Sequence, residues 1–547
     1  MAPTIDFLKK NPNSFQSQNG VLEEMFFGEK NADPLSLDEV DVAIFTEGTY
    51  PYMKGGVSSV IHQIIEEHAH LTFGVVHIAW DRSSKRTFLF PKLPQIKWVY
   101  TIYLSDSLNE NKKNILSPRK IFGLDKIDDK VIDDLIFGFD GIIKGKNYYF
   151  NRIYKDYFNP LTRKVDIHKL LQSPDLINLM IEKFKKLNIP LVDLFWLQRE
   201  LSTLSLSVLD KIYPKAKVYH SHTSGYAGLA ACLASLQHQR KFVLTEHSLY
   251  IRDVLSQIDE IYTPHKFKSI NYLKGESIKL KRSAWSQWFK SMGDITYHHV
   301  HSISYLYDEI AKDALSFGSP KIKQKIIPNG IKFSRFEKAR NAQNLRDRLR
   351  FLDKNHLWKI GFIGRIVPVK GVLDLIDSIY LLKKIFKGKF VVELIGPTDE
   401  DENYFEECLI KVKKLGLEQQ MKFLGPQNVA EFLEGVDLCV LSSHSEALPV
   451  VILESMSSGV PVVSTEVGSV RQILVDTYSD GNHVCALAAG VICTKKSPDK
   501  LAILINDVLT NSELYKKFRE EGPKRILQNF QLKDIMNKYS EFFRPTL

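Results

Sequence analysis

The sequence predicts an α/β protein built from two doubly wound lobes. Three observations carry this. Short apolar runs that read as buried strands recur along the chain, glycine-containing loops follow several of them, and helical patterns lie between. In the first lobe the run begins at Val40 to Phe45 and is ended by Glu47-Gly48. After Gly55-Gly56, Val57, Val60, Ile61, Ile64 and Ile65 recur at helical spacing, and 73–80 (FGVVHIAW) is the next strand. Residues 81–190 break the rhythm and read as an insertion, helical towards its end. The pattern resumes with a strand at 217–220, a small-residue helix at 225–236 and a strand at 242–245. From Trp358 it is regular: strands at 358–364, 390–396, 421–425, 437–443 and 461–465 alternate with helices, as a parallel sheet covered on both faces requires. The expected organisation is a polar arm (1–38), a first Rossmann-like lobe (39–335) and a second (336–525). A C-terminal helical segment (526–547) packs back on the first lobe. Residues 341–356 are polar and read as a linker.

Composition narrows the function classes. The 547 residues are 44% hydrophobic and 25% charged, which excludes a disordered or collagen-like chain. Lys and Arg number 74 against 64 Asp and Glu, a net charge of +10 that does not by itself imply nucleic acid. The five cysteines form no C-x-x-C pair, which argues against a zinc ribbon or disulfide scaffold and fits a reducing compartment. There is no signal-peptide core and no run approaching the ~20 apolar residues of a membrane span. A cytoplasmic protein is expected, with peripheral membrane contact as an option.

Several motifs sit where ligands of open α/β sheets bind, at strand carboxyl ends. Ser445 to Glu454 (SEALPVVILE) follows the strand at 437–443. Pro449 suits a first helical position, and Gly459 and Pro461 end the helix. Glu446 is thereby placed in the loop and Glu454 about one turn into the helix, where carboxylates suit the hydroxyls of a sugar or ribose. Solvated helix-start charges are the plain alternative. Gly364-Arg365 with Lys370-Gly371 follows another strand and suits a diphosphate, with Arg as a fork and Lys as a point charge. Gly55-Gly56 ahead of a helix lets backbone approach a ligand closely. His220 and His222 point the same way by strand alternation, and His247 closes the strand at 242–245. A hydroxyl contact suits these histidines better than a metal, since no carboxylate or cysteine stands at ligand spacing, and a satisfied structural hydrogen bond is the equal alternative for any one of them.

Together these residues resemble the GT4 family of retaining GT-B glycosyltransferases. Glu446 and Glu454 match its E-x7-E element, and Gly364, Arg365, Lys370 and Gly371 its G-R-x4-K-G. Pro328-Asn329-Gly330-Ile331 matches its P-N-G-[IV] bridge, and Val467-Gly468-Ser469 its V-G-G/S/A loop. Thr46 to Ser59 (TEGTYPYMKGGVSS) is similar to the opening signature of the branch that includes the Pel exopolysaccharide glycosyltransferase. The resemblance implies two Rossmann-like lobes facing a central cleft. It implies a nucleotide-sugar co-substrate, UDP-glucose the first choice, with no further cofactor and no metal. Glu446, Arg365, Lys370, His222 and His247 would serve the chemistry. Gly55, Gly56, Gly364, Arg365, Lys370, Gly425, Glu446, Ala447, Leu448, Pro449, Val450 and Glu454 would bind the donor. Departures stand at Ser248, Ala447 and His222, where the branch has Gly, Gly and a small or polar residue.

Two questions stay with the sequence. Residues 263–290 carry seven Lys or Arg and one Glu, interleaved with Phe267, Tyr272, Trp285, Trp288 and Phe289. This suits docking on anionic lipid or an acidic acceptor, or equally a solvated helix whose Trp residues are core. The acceptor is a glycan, lipid or protein, with nucleic acid not expected. The rivals to a transferase are a phosphorylase on the same fold and a binding protein that retains the pocket. Asp399-Glu400-Asp401, the one D-x-D, is expected to be a solvated acidic loop.

Overall fold

The computed structural model describes residues 33–80, 87–105, 190–262 and 275–544, together with 148–164 and a few positions within 130–146 and at 182; positions 354, 476–477, 480–483 and 486–487 are excepted. Most of the arm expected at 1–38, much of the insertion expected at 81–190, and residues 263–274 of the basic stretch lie outside the described residues. The chain forms two compact units. One comprises Met1–Tyr305, Ala311–Lys325 and Ser540–Leu547, the other Leu306–Ile310 and Ile326–Tyr539.

The first unit holds a seven-stranded sheet in the order β3-β2-β1-β4-β5-β6-β7. Its strands are β1 (Val40–Glu47), β2 (Phe73–Ala79), β3 (Ile96–Tyr103), β4 (Ala216–Ser221), β5 (Lys241–Glu246), β6 (Ser302–Tyr305) and β7 (Gln324–Ile326). Apolar β1 and β2 run parallel inside the sheet and are almost wholly buried. Helix α1 (Gly56–Glu67) buries Val60, Ile61, Ile64 and Ile65 as its spacing predicts. Helix α2 spans Leu191–Leu209. Helix α3 (Tyr226–His238) is buried almost all round because its Ala and Gly residues admit close approach. Helices α4 (Tyr250–Ile261) and α5 (Gly275–His299) complete the layer. One boundary needs correction. Strand β3, which pairs with β2 through seven registered positions, falls inside the segment expected to be insertion.

In the second unit a six-stranded sheet runs β10-β9-β8-β11-β12-β15. These are β8 (Leu357–Ile363), β9 (Lys389–Ile395), β10 (Met421–Gly425), β11 (Leu438–Leu441), β12 (Val462–Thr465) and β15 (Gly490–Cys493), while β13 (Tyr478–Ser479) and β14 (Val484–Cys485) form a separate hairpin. The supporting helices are α6 (Glu337–Arg350), α7 (Val372–Ile385), α8 (Glu402–Lys414), α9 (Val450–Ser457), α10 (Pro498–Thr510), α11 (Ser512–Asn529) and α12 (Leu532–Phe542). The expected linker at 341–356 is largely α6. Its inward face is polar: Gln343 donates to Leu433 O and Val436 O at 3.0 and 2.7 Å, and Arg350 is fully buried against Asp437 at 2.8 Å. The last residues join the first unit, where Ser540 Oγ lies 3.0 Å from His68 Nε2 and the Phe543 ring packs on His68, Phe73 and His220.

Both sheets share one strand order, so each has a switch point, between β1 and β4 and between β8 and β11. Crevices outside the carboxyl ends of such strands are where ligands bind. The motif loops 47–56, 222–225, 364–371 and 442–449 lie at those ends.

The described part of the basic stretch is the first half of α5. Trp285 and Phe289 are core, and Trp288 Nε1 donates to Tyr226 Oη at 3.2 Å. Three of its four described cations are paired: Lys281 with Glu200 on α2 at 3.0 Å, Arg282 with Asp259 on α4 at 2.7 Å, and Lys279 with Glu276 at 2.8 Å, while Lys290 is exposed. Among the described residues no helix is long and apolar enough to cross a membrane.

Candidate functional site

In the second unit two loops are locked together at the switch point. Gly371, at φ 63°, ends the short turn Pro368–Lys370 and starts α7. A Cβ there would come within 2.1 Å of Ser442 O, so only glycine lets the loop after β8 lie on the loop after β11. Ser442 Oγ donates to Lys370 O at 3.0 Å and His444 N to Val369 O at 2.8 Å. The His444 ring reaches Asp374 at 2.8 Å. This scaffold brings two expected residues together: Lys370 Nζ is 2.5 Å from Glu446 Oε1, which also accepts from Ser443 Oγ at 2.7 Å. Gly468 (φ 51°) seats the backbone of Glu446 and Ala447 from the other side, where a Cβ would fall 2.1 Å from Glu446 O. Ser469 N completes the contact with Ala447 O at 2.9 Å.

The helix expected after Glu446 starts one residue later than the sequence suggested. Pro449 is the capping residue and Val450 the first of α9. Leu448 and Pro449 are buried beneath it. Glu454 is half-buried on the second turn. Burial pushes its carboxyl up to about 7, opposed by the nearby Arg335. No side chain among the described residues hydrogen-bonds that carboxylate. Arg365 is not gathered with Lys370. It is half-exposed and pairs with Glu400 at 2.5 Å. The D-x-D loop is exposed at Asp399 and Glu400, as expected, and Asp401 also caps α8 by accepting from Tyr404 N at 3.0 Å. Gly364 closes β8 with its N–H on Ile395 O at 3.0 Å. Gly425 closes β10 at the sheet's edge, with β8 and β9 between it and β11.

In the first unit Gly55 and Gly56 open α1, and a Cβ at either would meet nothing within 4 Å. Internal packing does not explain these glycines. His220 and His222 do share a side, with ring centroids 4.2 Å apart. His222 Nδ1 lies 2.9 Å from His247 Nε2. Among the described residues no group of three or more His, Cys, Asp and Glu is arranged to hold a metal ion.

Two carboxylates beside the start of α3, Glu246 fully buried and Glu47 partly so, carry no signal strong enough to single them out from sequence. Glu47 accepts from Tyr250 Oη at 2.9 Å and from Ala227 N at 3.4 Å. Glu246 accepts from Ser224 and, at 2.7 Å, from Tyr297 Oη. The available signal was a Thr-Glu pair closing each strand, Thr46-Glu47 and Thr245-Glu246. Burial pushes the Glu246 carboxyl up to about 7, with the hydroxyl donors opposing. Between its ordinary value near 4.5 and about 7 the unfolded chain ionises while the folded chain keeps the proton. Stability therefore falls as pH rises through that window, by roughly 3 kcal/mol from this group. Glu246→Gln is expected to flatten that slope in urea titrations at pH 5 and pH 7.5; an unchanged slope would remove Glu246 as its source.

Comparisons with known proteins bear on the family and the fold. Residues 40–321 match the family described as Domain of unknown function (DUF3492), and residues 344–525 match Glycosyl transferases group 1. The chain is similar to the putative teichuronic acid biosynthesis glycosyltransferase TuaC of Bacillus subtilis, 28% identical over 267 residues, covering 48% of this chain and 56% of the relative. It is also similar to N-acetyl-alpha-D-glucosaminyl L-malate synthase of Bacillus anthracis, 28% identical over 186 residues, covering 34% and 45%. The chain thus spans about half the length of these curated relatives. Among solved structures it resembles Anabaena HepE in complex with UDP, with TM-score 0.52 at 14% identity, covering 92% of this chain and 98% of that one. The sucrose-phosphate synthase of Thermosynechococcus elongatus gives the same four values. These likenesses show the fold: two Rossmann-like parallel-sheet units of the GT-B class.

Proposed function

The chain belongs to the family described as Domain of unknown function (DUF3492) and carries a group 1 glycosyl transferase domain behind that region; from this we propose that it is a retaining sugar transferase of the GT4 type, using a UDP-hexose, UDP-glucose first. The observation that carries the reading is the locked pair of Lys370 and Glu446, with Glu454 on the second turn of the next helix. In this reading Glu454 accepts from the ribose hydroxyls. Lys370 and Arg365 meet the charge of the diphosphate, Arg365 exchanging Glu400 for phosphate oxygens. Glu446 turns towards the donor sugar, and Gly55 and Gly56 leave room for it. His222 stands near the reacting sugar.

The step breaks the bond from the anomeric carbon to the diphosphate oxygen and forms one to the acceptor oxygen on the same face. The acceptor proton passes to the departing diphosphate. No covalent nucleophile enters, so the protein's work is positioning and charge stabilisation. The acceptor is a polysaccharide, glycolipid or protein. The likeness of Thr46 to Ser59 to the Pel branch supports a polysaccharide. The ion pairs on α5 leave a membrane role for residues 263–290 with little described support.

A donor screen reading UDP or GDP release, followed by mass analysis of the product, tests the reading. UDP binding without release from any donor would make this a binding protein, and release of a sugar 1-phosphate from a glycan and inorganic phosphate would make it a phosphorylase. Glu454→Ala is expected to weaken UDP binding by roughly 10- to 100-fold, the loss of one or two charged hydrogen bonds. Unchanged UDP affinity by calorimetry would contradict the ribose assignment.

A further inference from the structure

His222 and His247 close adjacent strands of the first sheet, β4 and β5, which are registered through Ser221 and Leu244. Their rings stack at 17° with centroids 5.3 Å apart, and the Nδ1 to Nε2 distance of 2.9 Å is that of a full hydrogen bond. His222 is only 5% exposed, yet its Nε2 has no hydrogen-bond partner among the described residues. A buried polar nitrogen left in that state loses its hydration without compensation, so a group that satisfies it is called for.

The surroundings hold the pair in place. His220 backs the His222 ring, and its own Nε2 meets Thr245 Oγ1 at 2.9 Å, with Thr245 bonded to Ser304 at 2.6 Å. Burial pushes all three imidazoles down, His220 to about 3 and His247 to about 4, and the neighbouring rings push His222 further. Two neutral imidazoles joined this way share one proton, and that proton couples their tautomers. If His247 donates from Nε2, His222 carries its hydrogen on Nε2 and donates onward. If His222 donates from Nδ1, its Nε2 is an acceptor. A hydroxyl satisfies either state, whereas an ionised phosphate or carboxylate satisfies only the first.

We propose that His247 is a positioning residue for His222: their shared hydrogen bond fixes the ring orientation and tautomer that present His222 Nε2 to a sugar hydroxyl. The assignment rests on the sugar-transfer reading above. The test uses the full chain as wild type, His247→Leu and His247→Gln. Gln keeps a polar group near the position of Nε2; Leu does not. Three quantities are read: sugar transfer, UDP affinity, and the tautomer of His222 from ring-nitrogen NMR with and without UDP-glucose.

His247→Leu is expected to lower kcat at least about tenfold, and Gln to restore it to within about threefold, because only ring placement has changed. UDP affinity stays as in wild type. His222 shows one dominant tautomer in wild type and Gln, and a mixture in Leu. Unaltered transfer in the Leu variant, or a single unchanged tautomer there, overturns the proposal. So does a His222 ring signal indifferent to UDP-glucose in wild type. If wild type turns over no donor, the transfer reading fails, and the ring-nitrogen signals still decide whether the pair is coupled.

Discussion

Replacing Lys370 with alanine is expected to lower sugar transfer by about two to three orders of magnitude, the usual effect of removing one preorganised group from a site where negative charge develops. Lys370 Nζ is held 2.5 Å from Glu446, both side chains mostly buried at 19% and 13% exposure, so the cation is fixed before any ligand arrives. In the proposed transfer, charge grows on the diphosphate when the bond to the sugar breaks, and a cation already placed there needs little reorganisation to meet it. UDP affinity should fall much less than kcat. Lys370→Arg keeps the charge and should retain part of the rate, although its fork suits Glu446 differently. Donor turnover by UDP release checks all three proteins. A loss below about tenfold in the alanine variant would place the leaving-group charge elsewhere, with Arg365 the next candidate.

The second large effect concerns stability. Asp437 lies just before β11, fully buried, with Oδ1 2.8 Å from Arg350 and 3.0 Å from Arg346. Its Oδ2 accepts from Lys359 N at 2.8 Å and meets His356 Nε2 at 3.1 Å. Despite burial, these partners hold its carboxyl below the ordinary range. Arg350 in turn lies over the Tyr515 ring at 5.1 Å and donates to Gln343 at 2.7 Å. Asp437→Ala strips this carboxylate from a guanidinium that water cannot reach. The expected loss is about 3–5 kcal/mol, the range for breaking a buried pair from one side. Urea unfolding followed by tryptophan fluorescence near Trp358 measures it. A loss under about 1 kcal/mol would show that the cluster relaxes or admits water.

That cluster also explains where sequence reading stopped. Strands such as 73–79 and 357–363 are legible because parallel strands buried on both faces need unbroken apolar runs. The loops ending in Gly371 and around Glu446 are legible because their chemistry is compressed into fixed spacings. Helix α6 reads as a linker because its buried face carries Gln343, Arg346 and Arg350, and a polar face leaves no apolar period to find. Its partner Asp437 reads as an ordinary strand-start residue. Strand β3 was hidden among polar neighbours, and β15 is only four residues long. The pairing of Lys370 with Glu446, like that of His222 with His247, joins residues far apart in the chain. Neither could be read from local pattern.

The glycines near the two switch points answer to different constraints. Gly371 and Gly468 are fixed by the backbone around them, since any side chain would strike a carbonyl 2.1 Å away whether or not a ligand is present. A side chain at either position is excluded at the stage of folding. Gly55 and Gly56 face open space, so the fold alone would accept a side chain there. A methyl group at 371 or 468 is therefore an error of folding, while one at 55 or 56 is felt only by what approaches from outside.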